Sequence, residues 1–252
     1  MPDPVLPARL YAADVSVLED DRLYAAAYCA VSDERQKKAD RFRFRKDRNL
    51  CLGAGVLLRF ALREAGVLEE NPTYRTGENG KPYLFSYPNI FFNLSHSGSF
   101  VLCALSGVDV GCDIEKMEDA ELALAKRFFT PGEYAAIASR PSEAERADRF
   151  YRIWTLKESF LKATGLGLRL PLNGFEILSD GEAVSIRQDV DPRSFRFQTY
   201  DNLSGYQCAL CEAAEAGETE LEVLSLRELL FPSFVGNVVP GVPQSSGDPC
   251  GQ

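Results

Sequence analysis

Histidine, tryptophan and methionine are nearly absent: one, one and two residues in a chain of 252. With His96 the only histidine, a zinc centre has no histidine set to draw on. Long apolar runs are missing too. The longest apolar-rich stretch, Leu23 to Val31, falls far short of the roughly 20 residues a membrane span requires. Met1-Pro2-Asp3-Pro4 lacks the basic and apolar regions of a signal peptide, so a cytoplasmic protein is expected. Positive charge is scarce, with 28 Lys and Arg against 37 Asp and Glu. The formal net charge of −9 argues against general binding to nucleic acid or anionic membrane. No disulfide framework is evident either. Cys29, Cys51, Cys103, Cys112, Cys208, Cys211 and Cys250 are odd in number and irregularly spaced, which suits reduced thiols. Cys208 and Cys211 match C-x-x-C, but in a strand-like run an offset of three puts the sulfurs on opposite faces.

What remains is an ordinary globular composition, 45% hydrophobic and 26% charged, long enough for one large domain or two halves of about 100 residues each. The patterns predict a strand over Arg9–Ser16 and a helix through Leu23–Ala27. Ser32 reads as the N-cap of a second helix, and a long helix is expected from Asp47 to Ala65. Asn79-Gly80 signals a hairpin, and Lys81-Pro82 follows it. Strands are expected at Ile90–Leu94 and Phe100–Leu105, with Asn93–Ser99 between them as a polar turn able to offer hydroxyls and N–H groups to an anion. Thr130 and Ser142 open capping boxes, the second starting a helix that should last until Gly165. Further strands lie at roughly 175–178, 183–187, 195–200, 206–212 and 220–224, then a short helix at 226–230.

Three stretches carry chemistry. In Val108–Glu115 the apolar residues alternate with Asp113 and Glu115, so a strand places both carboxylates on one face. They repel unless a cation such as Mg²⁺ sits between them, although the alternation alone is better explained by a solvated strand edge. From Arg35 to Arg48 there are eight basic residues and two acids, in an otherwise acidic chain. That segment suits a solvated basic face, an RNA contact, or one compact polyanion such as a nucleotide phosphate. On the helix after Ser142, Glu158 and Lys162 are four apart and share a face, as a plain surface ion pair would.

In order, Phe92-Asn93-Leu94-Ser95-His96-Ser97, Gly111-Cys112-Asp113-Ile114-Glu115 and Trp154–Ala163 with Gly165-Leu166-Gly167-Leu168, preceded by Gly80-Lys81-Pro82, resemble a 4′-phosphopantetheinyl transferase of the surfactin-synthetase-activating (Sfp) type. The resemblance spans about residues 9 to 230. It implies an α+β fold of two similar halves in a pseudo-twofold arrangement, residues 1–107 and 108–230, with a cofactor cleft between them and a disordered tail at 231–252. It implies a monomer that takes coenzyme A and an apo acyl, peptidyl or aryl carrier protein. The carrier's serine would attack the β-phosphorus, and 3′,5′-ADP would leave.

Asp113, Glu115 and Glu158 are then expected to hold Mg²⁺, Glu158 being a ligand, the general base, or both. Lys162 is expected on the pyrophosphate, Arg35 and Lys38 on the 3′-phosphate, and Ser95 and His96 on the phosphates. A further contact falls at Arg48 or Asn49. Gly80, Lys81 and Pro82 would lie beside the adenine and pantetheine. Asp109 is expected at the exposed strand start without a role, Cys112 in the core, and Arg127 and Phe128 at the carrier. The rival readings are a coenzyme A binder that transfers nothing, for which the Asp113, Glu115, Glu158 and Lys162 set is superfluous, and an RNA binder using Arg35–Arg48.

Overall fold

The computed structural model describes residues 5–69, 72–120, 122–180 and 183–232; the expected tail beyond Pro232 lies outside them. In chain order, strand β1 (Arg9–Asp14) leads to helices α1 (Asp21–Ala30), α2 (Asp33–Asp40) and α3 (Arg45–Glu64). Short strands β2 (Tyr74–Thr76) and β3 (Pro82–Leu84) follow, then β4 (Phe91–Ser97), β5 (Phe100–Ser106) and β6 (Val110–Lys116). Next come helices α4 (Leu122–Phe128), α5 (Pro131–Ala138) and α6 (Glu143–Thr164). Strands β7 (Glu176–Asp180), β8 (Ala183–Arg187), β9 (Arg196–Tyr200), β10 (Tyr206–Glu212) and β11 (Leu221–Leu224) precede the closing helix α7 (Leu226–Leu230). This is an α+β fold, as the resemblance implied.

Two sheets carry the molecule, ordered β11-β1-β5-β4 and β6-β10-β9. Strand alternation sorts their side chains. Tyr11, Ala13, Val101, Cys103 and Leu105 point to α3, whose Leu57 and Ala61 are fully buried against them. Leu10, Ala12, Leu102 and Ala104 point the other way and meet Val110, Cys112, Ile114, Cys208 and Leu210 of the second sheet. The outer face of that sheet, with Ala209 and Cys211, packs under Leu156 and Phe160 of α6. Cys208 and Cys211 thus sit in different layers, as their spacing predicted. Cys51, Cys103, Cys112, Cys208 and Cys211 are buried free thiols, whereas Cys29 is disulfide-bonded, a departure from thiols throughout.

Helix α6 is set by its ends: the Ser142/Glu145 capping box starts it, and Gly165, in the left-handed region at φ 68°, ends it. Its approach to β6 depends on Gly111. A Cβ there would stand 2.1 Å from the Ser159 carbonyl oxygen and 2.3 Å from Ala163 N. Gly111→Ala is therefore expected to force α6 off the strand and to cost about 1–3 kcal/mol or more, as overpacking does. A urea unfolding midpoint checks this. Strand β11 returns to the first sheet, parallel to β1, and α7 follows it, with Leu226 buried beside α3.

Candidate active site

The edges β4 and β6 meet in a seam. Because Val110, Cys112 and Ile114 face the layer between the sheets, Gly111, Asp113 and Glu115 face α6. Strand β4 holds this edge by side chains. Asn93 Oδ1 accepts from Cys112 N at 2.9 Å, Ser95 Oγ donates to Asp113 Oδ1 at 2.8 Å, and Ser97 Oγ donates to Glu115 Oε2 at 2.7 Å. The expected polar turn over Asn93–Ser99 is thereby corrected: 91–97 is strand, and only the tip around Gly98 turns. Small polar residues suggested a turn, but pairing with β5 and bonds to β6 satisfy them in extended form. The pleat also separates Ser95 from His96. Ser95 joins the carboxylates, while His96 lines a cleft on the other side.

Asp113 is 3% exposed. Its Oδ1 receives the Lys162 ammonium at 2.6 Å, while Oδ2 is buried with no hydrogen-bond partner. Lys162 Nζ also reaches Ser95 Oγ at 3.0 Å and the Cys112 carbonyl at 3.2 Å. The Lys162 ion pair is thus with Asp113, which corrects the expected pairing with Glu158: helical spacing put both on one face, but the strand beneath offers the nearer charge. Burial works to lower the Lys162 pKa, yet attraction to Asp113 and its neighbours outweighs it, and the value is raised. Glu115 is pushed up by burial and by Asp113, against the Ser97 hydrogen bond. Burial and then Asp113 push Glu158 up as well. Three carboxylates thus share one ammonium, a site short of positive charge. Among the described residues no three side chains converge as a ready-made metal ligand set. The orphaned Asp113 Oδ2 and neighbouring Glu115 suit a hard cation that keeps positions for waters and substrate oxygens.

The cleft, about 680 Å³, lies between α2, α3, β4 and the β2–β3 hairpin, and Arg35, Lys38, Tyr74, Pro82, Phe92 and His96 line it. The surrounding protein, with the charges of Lys162 and Lys38, pushes His96 below its usual pKa, so the ring is neutral near pH 7. The basic segment divides. Arg45 binds Asp21 at 3.1 Å and lies over Tyr24, and Arg48 Nε folds back onto the Phe42 carbonyl at 2.9 Å. Asn49 is buried and donates to Glu19 at 2.6 Å. Neither Arg48 nor Asn49 lines the cleft. Gly80, at φ 88°, ends a hairpin loop in which Gly77 N bonds to the Lys81 carbonyl at 2.9 Å. Lys81 itself bridges Asp109 Oδ1 at 3.4 Å, Val110 O at 3.2 Å and Ala163 O at 2.8 Å. Asp109, expected to be idle, is held by Lys81 and by Arg193 at 2.6 Å.

Two residues inside the motifs were given no role from the sequence. Lys157 is fully buried, bound to Glu133 at 2.8 Å and to the Leu172 and Phe175 carbonyls at 2.7 Å. Ser97 stands two residues after Ser95, the same period that sets Glu115 after Asp113, and that shared period was the available signal.

The model of the 4′-phosphopantetheinyl transferase superfamily matches residues 109–211, and that of the N-terminal part of a 4′-phosphopantetheinyl transferase matches residues 19–107. A Bacillus subtilis 4′-phosphopantetheinyl transferase is 36% identical over 218 residues, 86% of this chain and 95% of its own. The Sfp transferase of Bacillus subtilis strain 168 is 36% identical over 203 residues, 79% of this chain and 90% of its own. A solved Thermotoga maritima holo-[acyl-carrier-protein] synthase overlaps partially, with TM-score 0.37 and 21% identity over 43% of this chain and 64% of that one. The chain belongs to the 4′-phosphopantetheinyl transferases, and within them to the Sfp type.

Proposed function

We propose that this transferase moves the 4′-phosphopantetheine group of coenzyme A onto a serine of an apo carrier protein, with Mg²⁺ present and 3′,5′-ADP released. The observation that carries this is the carboxylate-and-ammonium seam, with the orphaned Asp113 Oδ2, set beside a cleft that Arg35, Lys38 and His96 line. Asp113 and Glu115 would hold Mg²⁺, which supplies charge neutralisation on the pyrophosphate. Lys162, bound to Asp113 at 2.6 Å, would offer its ammonium to the same oxygens. Glu158, half-buried on α6 one turn before Lys162, would take the serine proton. The serine oxygen–phosphorus bond forms as the bond to the leaving 3′,5′-ADP breaks. Arg35 and Lys38, three apart on α2, hold the 3′-phosphate, and neutral His96 donates a hydrogen bond to a phosphate oxygen. Pro82, with Gly80 and Lys81 before it, borders the nucleotide.

We read residues 1–107 and 108–230 as the two halves, with β11 returned to the first. One chain supplies both sides of the site, so a monomer suffices. Among the described residues no helix is long and apolar enough to cross a membrane. We infer a cytoplasmic setting from the five buried free thiols, against which the disulfide at Cys29 stands. Arg127 lies over the Phe128 ring at 5.0 Å on α4, and we propose this pair as a carrier contact.

The test is the mass of an apo carrier after incubation with the protein, coenzyme A and Mg²⁺. A second measurement tests the nucleotide assignment. Losing a charged hydrogen bond of about 1.5–3 kcal/mol, Arg35→Ala should raise KM for coenzyme A roughly 10- to 100-fold with kcat kept. With dephospho-coenzyme A, which lacks the 3′-phosphate, that penalty should vanish. An equal penalty with both substrates would remove Arg35 from the 3′-phosphate.

A further inference from the structure

Ser97 makes two bonds at the end of β4. Its Oγ accepts from the Lys116 amide at 3.1 Å and donates to Glu115 Oε2 at 2.7 Å. A hydroxyl has one proton. With the backbone N–H occupying a lone pair, the hydroxyl is oriented and its proton is committed to the glutamate. Ser95 differs. It donates to Asp113, but what it accepts from is a side chain, the Lys162 ammonium, at 3.0 Å. The rung at Ser97 is therefore the fixed one, anchored to main chain of the strand that carries the carboxylate. It also occupies one oxygen of Glu115 and leaves Oε1 without a hydrogen bond among the described residues.

Glu115 needs such a brace. Its backbone is held in the β6–β10 ladder, where it pairs with Gln207, but its side chain is long and half-buried, facing Asp113 and Glu158 of like charge. Unrestrained, it would rotate away from its neighbours toward water, because two anions in poorly screened surroundings separate when they can. The hairpin tip that bears Ser97 is itself fixed. The Tyr206 hydroxyl accepts from Ser99 N at 3.1 Å, and the Tyr206 ring meets Phe100 edge-on at 5.0 Å. The brace thus runs from the second sheet through the turn to the carboxylate.

We propose that Ser97 is a positioning residue for the divalent cation, acting through Glu115: it fixes the carboxylate so that Oε1 is presented to the metal beside Asp113. The inference rests on the metal reading given above. Partners that orient a metal-binding side chain are worth about 10- to 100-fold in metal affinity when removed.

The test is Mn²⁺ binding, followed by electron paramagnetic resonance, to the full chain with coenzyme A and no carrier, so that nothing turns over. Ser97→Ala should weaken Mn²⁺ binding about 10-fold or more, and Ser97→Thr, which keeps the hydroxyl, should restore it. In turnover with a carrier, Ser97→Ala should raise the Mg²⁺ concentration for half-maximal rate while saturating Mg²⁺ recovers kcat. Unchanged Mn²⁺ affinity in Ser97→Ala, with or without a lower unfolding midpoint, overturns the proposal and leaves Ser97 a hairpin anchor. If Ser97→Ala does not fold, the Thr variant and a Ser97→Cys variant, whose thiol donates weakly, carry the comparison. Affinities that do not follow donor strength overturn the proposal. If the wild-type protein binds no Mn²⁺ at all, the metal reading fails first and this inference with it.

Discussion

Asp113→Asn is expected to lower transfer of phosphopantetheine by at least 10²- to 10³-fold while the protein stays folded. The change keeps the shape that accepts from Ser95 and Lys162 and removes only charge. In the native site Asp113 is the buried anion that holds Lys162 charged and opposes the ionisation of Glu115 and Glu158. In the proposed metal reading the cation would lose the buried Asp113 Oδ2, which has no other partner. Losing one pre-set electrostatic contact in a water-poor site typically costs that range of rate. Repulsion among the carboxylates falls at the same time, so stability should change by less than the transfer barrier. The check is kcat/KM for a carrier across a Mg²⁺ series, beside a urea unfolding curve. Full activity at ordinary Mg²⁺ would remove Asp113 from the metal.

Lys157→Met has the opposite signature, with stability lost first. Lys157 and Glu133 are buried to 0% and 1% side-chain exposure and meet at 2.8 Å. Burial lowers the lysine's pKa, and Glu133 opposes the shift. Glu133 also accepts from Thr130 N in the capping box of α5 and from Ile177 N at the start of β7. Removing the ammonium leaves a buried carboxylate and the Leu172 and Phe175 carbonyls without their partner. Breaking one side of such a pair costs about 3–5 kcal/mol. That is a large share of the 5–15 kcal/mol that holds a typical domain. The unfolding midpoint should drop accordingly, and Lys157→Met with Glu133→Gln together should cost less than the two changes summed. Because Glu158 follows Lys157 on α6, activity should fall with the fold.

The parts legible in the sequence were those fixed by local period. Two-residue alternation placed Asp113 beside Glu115, helical spacing placed Glu158 with Lys162, and the two capping boxes opened α5 and α6 where expected. What local patterns could not show were pairings between distant segments. Nothing near Lys162 in sequence says that its partner is Asp113, forty-nine positions earlier, rather than Glu158. Nothing near Glu133 marks a capping residue as the counter-ion of a buried lysine. The segment around Ser95 reads as a turn because Asn, Ser and Gly favour turns locally, yet cross-seam hydrogen bonds make it a strand. The basic run from Arg35 to Arg48 overstated the charge facing the cleft. Arg45 ties α3 to Leu18 and Asp21 at the start of α1, Arg48 ties it to the loop before it, and Arg35 and Lys38 are left to line the cleft.

The most direct measurement is the intact mass of apo acyl, peptidyl and aryl carriers after incubation with the full chain, coenzyme A and Mg²⁺. At least one carrier should gain one phosphopantetheine group on its serine, with 3′,5′-ADP released in equal amount. The gain should be absent when Mg²⁺ is chelated and absent with Asp113→Asn over the same time. Unchanged carrier masses with folded, coenzyme A-binding protein would contradict it and leave a binder that transfers nothing.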